Sequence, residues 1–310
     1  MSEQSGPGRR PVEQAPQCDA ATAQLRKLML AVRAQFGVGE GVTEVRRRRR
    51  IGRQVGLLSE GDEFRLGRHR CFLIRRSAAK HLRSSLATIP SAPTWRAGNL
   101  KPSELHELAL LFESLPERVL YVDLETCGLG DVPIFLLGVL RHERRSGEWV
   151  VEQYLARTYD EEPALLHVFW HLARRCTVLA TFNGKSFDYP RLEDRSARYR
   201  IGRPRRRKRA QQKPGQGGVP GWVHCDLLYY ARRLWRVKYD LPDCRLLTLE
   251  YCICGREREE DIEGSEMQRV YEEFVRTGHT SEMELVLEHN FHDLVTLADL
   301  SFRLLAEVGG

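Results

Sequence analysis

The fold is decided by the stretch Val119-Leu120-Tyr121-Val122-Asp123-Leu124-Glu125, where an apolar run ends in two carboxylates. The apolar residues ahead of Asp123 predict a buried strand at residues 118–124. Because side chains alternate along a strand, Asp123 and Glu125 face the same side of the sheet. Two neighbouring carboxylates repel each other, and a divalent cation that both can bind removes that repulsion. The stretch therefore predicts a cation-binding strand end.

Two later motifs add two carboxylates and an imidazole. Asn183-Gly184-Lys185-Ser186-Phe187-Asp188 follows a predicted strand at 177–182, and its turn would let Asp188 approach a neighbouring strand end. His289 and Asp293 lie four residues apart in a helical pattern, so they share one helix face. Histidine is well suited to take a proton from water near neutral pH. Cleavage of a phosphodiester can use two divalent ions held by carboxylates from several elements, so these motifs predict a metal-dependent nuclease.

The order of the other predicted elements agrees with that chemistry. After the first strand, the patterns predict two strands, a helix and a fourth strand, at residues 134–141, 149–155, 161–176 and 177–182. A short fifth strand is predicted at 222–225, with helices at 188–199, 226–236, 245–253, 266–277 and 281–306. A three-stranded meander, a helix, one more strand and alternating helices form the order of an α/β fold of the ribonuclease-H-like type.

The N-terminal third has a different composition. Its first residues are polar and rich in Gly, Pro and Gln, which predicts disorder. A helix is predicted at 21–36, a hairpin at 64–74, and a helix at 103–115 with Ser103 as its N-cap. The predicted organisation is a disordered tail, a basic accessory region with its linker, and the main domain, at residues 1–20, 21–102 and 103–310.

Positive charge is concentrated in two segments of a chain whose formal net charge is +7. Residues 1–116 carry 20 Lys and Arg against 11 Asp and Glu, and residues 195–213 carry ten basic residues and no acid. Basic runs attract polyanions without sequence preference, although a general preference for arginine would give the same composition. We expect nucleic-acid contact from a basic loop at 195–221, with the candidate residues Lys185, Arg205, Arg206, Arg207, Lys208 and Arg209. Lys185 is equally compatible with simple exposure.

Other classes of protein are disfavoured. No apolar run approaches the length of a membrane span, and the N-terminus lacks the order of a signal peptide, so a cytoplasmic protein without a membrane partner is expected. The eight cysteines are interpreted as reduced core thiols. The alternative is a metal site made by Cys244, Cys252 and Cys254 with His224 or Cys225, but their spacing is not that of a zinc ribbon or finger.

The ordered motifs resemble the YprB-like branch of the ribonuclease-H-like superfamily, among the DEDD exonucleases of the DnaQ type. The resemblance covers residues 118–304. It rests on Asp123-Leu-Glu-Thr126, Phe182-Asn-Gly-Lys-Ser-Phe-Asp-Tyr-Pro-Arg-Leu192, His224-Cys-Asp-Leu-Leu228, Arg232-Arg-Leu-Trp235, Asp261-Ile-x-Gly264 and His289-Asn-x-x-Asp293. Three residues separate His289 from Asp293, which is the spacing of the subclass that has tyrosine in place of histidine.

The resemblance implies a mixed five-stranded sheet flanked by helices, and 3′ to 5′ exonuclease activity on single-stranded ends of DNA or RNA. It implies two Mg²⁺ or Mn²⁺ ions as cofactors. The metal ligands would be Asp123, Glu125, Asp188 and Asp293, and His289 would be the base that orients the attacking water.

Other interpretations stay open. Each acid, taken alone, could be a turn, cap or surface residue, and Asp226 could cap a helix or support the site from behind. At the level of function, the alternatives are a catalytically silent nucleic-acid-binding module and a structure-selective endonuclease that uses the same site.

Overall fold

The computed structural model describes residues 58, 61–96, 98, 100–128, 130–202, 221–258 and 260–310. The predicted tail, the predicted helix at 21–36 and the basic residues 205–209 lie outside this part of the chain. The domain boundaries and the cytoplasmic location stay predictions. Within the described part, no helix combines the length and the apolar character needed to cross a bilayer.

Seven strands form one mixed sheet in the order β1-β2-β5-β4-β3-β6-β7. Their bounds are Asp62–Leu66 (β1), His69–Ser77 (β2), Val119–Thr126 (β3), Ile134–Glu143 (β4), Glu148–Leu155 (β5), Val178–Thr181 (β6) and Val223–Asp226 (β7). The central strand, β3, pairs antiparallel with β4 and parallel with β6, and β6 pairs parallel with β7.

The α/β fold is confirmed, and within the described residues the sheet has seven strands instead of the predicted five because the N-terminal hairpin joins it. The predicted hairpin is present as β1 and β2, and β2 pairs antiparallel with β5 from Phe72 opposite Leu155 to Ser77 opposite Val150. The hairpin therefore extends the sheet instead of standing apart from it. Its alternating pattern predicts strands but carries no information about which sheet edge they join.

The helices are Ala79–Leu86 (α1), Pro102–Ser114 (α2), Glu162–Ala173 (α3), Asp188–Tyr199 (α4), Leu227–Tyr230 (α5), Arg236–Lys238 (α6), Leu246–Leu249 (α7), Met267–Thr277 (α8) and Ser281–Gly309 (α9). Two π-helical segments continue α5 and α7, at Ala231–Trp235 (π1) and Glu250–Cys254 (π2).

Three local predictions need correction. The N-cap of α2 is Lys101 and not Ser103, because Pro102 takes the first helical position and Glu104 accepts a hydrogen bond from the Lys101 amide. The helix α1 was not predicted from the sequence. The helix predicted at 188–199 is present as α4, so residues 195–199 of the predicted loop at 195–221 are helical, and the buried Arg195 pairs with Glu162 at 2.6 Å.

The alternation of β3 sets the orientation of the two acids. Its residues Leu120, Val122 and Leu124 pack with α3 on one face of the sheet. Val119 and Tyr121 pack on the other face with α9, and the Tyr121 hydroxyl is 2.7 Å from that of Ser301. Since Asp123 and Glu125 continue the second set, both point to the side of the sheet that α9 covers.

Candidate active site

Four carboxylates from three elements lie near one another at the end of β3. Asp123 and Glu125 belong to β3, Asp188 is the first residue of α4, and Asp293 lies in α9. Burial raises the pKa of Asp123 well above its ordinary value, and the three other carboxylates raise it further. Burial is the largest cause that raises the pKa of Glu125, and the charges of Asp293 and Asp188 raise it further. Asp123 and Asp293 also line the same cleft, and Asp188 accepts a hydrogen bond from the Leu124 amide of β3, so the four predicted acids lie in one region of the fold.

Asp188 is held at the site by the turn that precedes it. The residue is 5% exposed, and burial raises its pKa to about 7, with the charges of Asp226 and Asp293 adding to the shift. Asp226 is itself buried and accepts hydrogen bonds from the amides of Asn183 (2.8 Å) and Lys185 (3.0 Å). It also accepts one from the Leu228 amide at 3.2 Å. Asp226 therefore caps α5 and fixes the turn before Asp188, so it has both of the roles that the sequence left open.

Asn290 fixes the orientation of Asp123, a role that the sequence did not reveal. It is fully buried and donates from Nδ2 to Asp123 Oδ2 at 2.8 Å, while its Oδ1 accepts from Gln153 Nε2 at 2.9 Å. Gly138 lies opposite Asp123 in β4, and a Cβ at this position would overlap the Asn290 side chain. The glycine thus leaves the space through which α9 reaches the strand.

Arg258 is a second contributor that was not found from the sequence. Its side chain is 4% exposed, and its Nη2 contacts Asp293 Oδ1 at 2.5 Å and Glu250 Oε2 at 2.7 Å. Its Nη1 is 3.3 Å from Asp261 Oδ2. Glu250 opens π2 and is 2% exposed. Arg258 lies in a loop, where the sequence has no helical or strand periodicity. Its position among acids is therefore visible only in the folded chain.

His289 lies between two carboxylates. Its Nδ1 is 2.5 Å from Asp261 Oδ1, and its Nε2 is 3.4 Å from Asp293 Oδ2. Burial lowers its pKa, but the hydrogen bond to Asp261 and the charges of both acids outweigh burial and raise the pKa above the ordinary value. The predicted base is therefore at the carboxylate cluster, with a carboxylate partner from outside its own helix.

A cleft opens beside the cluster. It has a volume of about 470 Å³ and reaches Asp123 and Asp293. Three arginines line it, Arg232, Arg236 and Arg245, together with the apolar residues Phe182, Leu228 and Leu246. Arg245 is 3.5 Å from Asp243, whereas Arg232 and Arg236 have no described carboxylate within salt-bridge distance. The cleft thus combines acids at one end with positive charge and apolar surface along its walls.

The geometry agrees with comparisons to known proteins. A family model described as RNase_H superfamily matches residues 120–305. The chain belongs to the RNase_H superfamily. This membership supports a nuclease-like function on nucleic acid, and nucleases of the superfamily generally use divalent metals.

One relative and one solved structure show the range of similarity. A Bacillus subtilis (strain 168) protein, "Uncharacterized protein YprB", is 33% identical over 187 residues, which are 59% of this chain and 41% of that protein. The chain therefore spans less than half of this relative, and the YprB-like resemblance is confirmed within that span. The family B DNA polymerase of the archaeon Pyrobaculum calidifontis matches 61% of this chain and 25% of its own, with 20% identity and a TM-score of 0.44.

The donor set of this RNase_H superfamily member suits a hard cation. The four carboxylates offer only oxygen ligands, which Mg²⁺ and Mn²⁺ prefer. Among the described residues, however, no three acid, histidine or cysteine side chains are yet gathered closely enough to hold an ion, and Arg258 occupies one oxygen of Asp293. Within the same part of the chain, Cys244, Cys252 and Cys254 belong to no such group either, and all three are free thiols.

The predicted substrate contacts are only partly described. The Nζ atom of Lys185 is 3.5 Å from the Glu107 carboxylate and 5.4 Å from the centre of the Tyr229 ring. Its charge is therefore shared with an acid of α2. The basic residues 205–209 lie outside the described part of the chain, so their contact with nucleic acid stays a prediction.

Proposed function

We propose that this chain is a metal-dependent nuclease that removes nucleotides from the 3′ ends of single-stranded DNA or RNA. The observation that carries the proposal is the meeting of four mutually repelling carboxylates, from β3, α4 and α9, beside a cleft lined by arginines. A protein that only bound nucleic acid would gain nothing from that concentration of negative charge at the end of a basic cleft.

Each part of the site has a task in hydrolysis. Asp123, Glu125, Asp188 and Asp293 would hold two Mg²⁺ or Mn²⁺ ions, which stabilise developing negative charge and lower the pKa of bound water. Asn290 and Asp226 keep Asp123 and the turn before Asp188 in place. His289 takes the proton of the attacking water through Nε2. The water oxygen forms a bond to phosphorus while the bond from phosphorus to the 3′ oxygen of the preceding nucleotide breaks.

The cleft supports a strand end as the substrate. Its volume of about 470 Å³ lies within the roughly 300–1,000 Å³ of small-ligand pockets, which suits a few nucleotides better than a duplex. The guanidinium groups of Arg232 and Arg236 can pair with phosphate oxygens, since no described carboxylate lies within salt-bridge distance of either. Phe182 and Leu246 offer apolar surface to sugar or base. Lys185 and residues 205–209 would extend this contact along the strand.

The test is a gel assay with 5′-labelled single-stranded DNA and RNA, run with Mg²⁺, Mn²⁺ or EDTA beside a circular single strand. We expect a metal-dependent ladder that shortens from the 3′ end while the circle stays intact. Asp188→Asn should abolish cleavage, whereas the matched control Asp194→Asn should leave it unchanged, because Asp194 is exposed on the same helix.

Two other outcomes would replace the proposal with one of its alternatives. A cut circle would indicate an endonuclease that uses the same site. Absence of cleavage with either metal, together with a salt-sensitive gel shift, would indicate a nucleic-acid-binding module.

A further inference from the structure

The contact between Asp261 and His289 joins two elements that are separate in the chain. Asp261 lies in the loop after π2, and His289 lies 28 residues later in α9. The two side chains are 22% and 16% exposed, and the distance from Nδ1 to Oδ1 is 2.5 Å. This distance is slightly shorter than the roughly 2.7–2.9 Å of charge-assisted hydrogen bonds from nitrogen to a carboxylate, so the two side chains are in direct hydrogen-bond contact.

The surroundings of Asp261 decide which atom carries the proton. Its Oδ1 also accepts from the Ile262 amide at 3.0 Å, and its Oδ2 is 3.3 Å from Arg258 Nη1. A carboxylate that faces a guanidinium and an amide is an acceptor, so the hydrogen of the short contact belongs to His289 Nδ1. Arg258 Nη1 also approaches His289 Nδ1, but at 3.5 Å this contact is too long to compete.

We propose that Asp261 is a positioning residue that holds His289 as the Nδ1–H tautomer and directs the unprotonated Nε2 toward the reaction. Nε2 is 3.4 Å from Asp293 Oδ2. In the neutral ring both of these atoms bear lone pairs, so they do not bond each other, and Nε2 stays free to accept a proton from water. The kinetic half of this inference rests on the proposed function, whereas the tautomer itself does not.

Asp261 is needed because α9 alone cannot orient the ring. On its own helix face, His289 has Asp293 four residues further on as its acidic neighbour. If Nδ1 had no partner, the ring could rotate and donate to Asp293, and the proton acceptor would be lost. Arg258 keeps Asp261 in place, and Glu250 in turn keeps Arg258 in place through contacts of 2.7 Å.

The test compares Asp261→Asn, Asp261→Glu and the matched control Glu263→Gln, which changes an exposed acid two residues away. The first readout is the tautomer of His289 in the full metal-free chain. It is measured by long-range ¹⁵N–¹H correlation NMR with ¹⁵N-histidine over a pH series, and the tautomer is taken from the plateau above the titration of His289, where the ring is neutral. The signal is assigned by its loss in His289→Gln. The second readout is the split between kcat and KM for cleavage.

We expect Nδ1–H in the wild type and in Glu263→Gln, and a shift toward Nε2–H in Asp261→Asn. We also expect kcat of Asp261→Asn to fall about 10- to 100-fold with KM little changed, the usual range for loss of a supporting hydrogen bond. Asp261→Glu should recover part of the Nδ1–H tautomer and part of kcat because it restores a carboxylate.

An unchanged tautomer in Asp261→Asn would overturn the inference, and so would an equal loss of kcat in Glu263→Gln. A wild-type chain that cleaves nothing would remove the proposed function, and the tautomer measurement would still decide the role of Asp261.

Discussion

Neutralising Asp188 should stabilise the metal-free protein, and the gain should grow with pH. Asp188 is buried, and its pKa is raised from 3.8 to about 7. A carboxyl group whose folded pKa is raised lowers stability as pH rises from the unfolded pKa toward the folded one. The destabilisation is therefore absent below about pH 4, grows through the window between the two pKa values, and is complete above about pH 7.

The size of the effect follows from the shift. A change from 3.8 to about 7 corresponds to about 4 kcal/mol at about 1.4 kcal/mol per unit. Asp188→Asn also weakens the hydrogen bonds that the carboxylate accepts from the amides of Asp188 and Leu124, at about 1 kcal/mol each. Because these bonds favour the charged carboxylate, the part of their contribution that depends on pH is already contained in the pKa of about 7. The gain from Asp188→Asn should therefore be larger at about pH 8 than at about pH 4.5 by about 3 kcal/mol.

Urea unfolding in EDTA measures this difference. Wild type, Asp188→Asn and the control Asp194→Asn are compared at both pH values, and the control should follow the wild type at each. A stability difference between wild type and Asp188→Asn that does not change with pH would refute the raised pKa that burial and the neighbouring carboxylates give Asp188. Mg²⁺ or Mn²⁺ should then stabilise the wild type more than Asp188→Asn, because the cation offsets the repulsion.

Three further changes test other parts of the site. Gly138→Ala should destabilise the chain by about 1–3 kcal/mol in urea unfolding, because its Cβ displaces Asn290; an unchanged unfolding midpoint would show that α9 adjusts freely. Arg258→Met should destabilise the metal-free chain by about 3–5 kcal/mol, because it leaves buried acids without their partner. An unchanged free energy of unfolding in urea would mean that these acids are already protonated. The double change Arg232→Gln with Arg236→Gln should reduce the slope of log Kd against log salt concentration by about 1.4 for binding of a single strand. Fluorescence anisotropy in EDTA measures this slope, and an unchanged slope would mean that the strand binds outside this cleft.

The framework of the fold is predictable because its strands are apolar and its turns are polar. The run before Asp123 has to be buried, and its alternation directs Asp123 and Glu125 to one face whatever surrounds them. The spacing of His289 and Asp293 likewise places both on one face of α9. These local rules predict the face of its own element on which each of these residues lies.

The supporting residues follow from tertiary packing and could not be predicted. Arg258 and Asp261 belong to a loop without periodicity, and the residues of α9 that they contact, Asp293 and His289, are 35 and 28 residues away. Asp261 was visible within its motif, but its contact with His289 was not. Asn290 was visible within its motif, but its role depends on the gap at Gly138 in another strand. The sheet edge that receives β2 is also chosen by long-range pairing, which a hairpin pattern does not encode.

The pairing of β2 with β5 also has a consequence for association between molecules. β5 spans Glu148–Leu155, and all but its first residue are buried. Without β2, this strand would offer a row of unpaired amides and carbonyls to any other chain, which is a template for aggregation. With the hairpin in place, the outermost described strand on this side of the sheet is β1, which is five residues long and carries Asp62, Glu63 and Arg65. A fragment that began at residue 103 would therefore be expected to self-associate through β5. In the longer chain, the hairpin pairs with β5 and so prevents strands of other molecules from pairing with it.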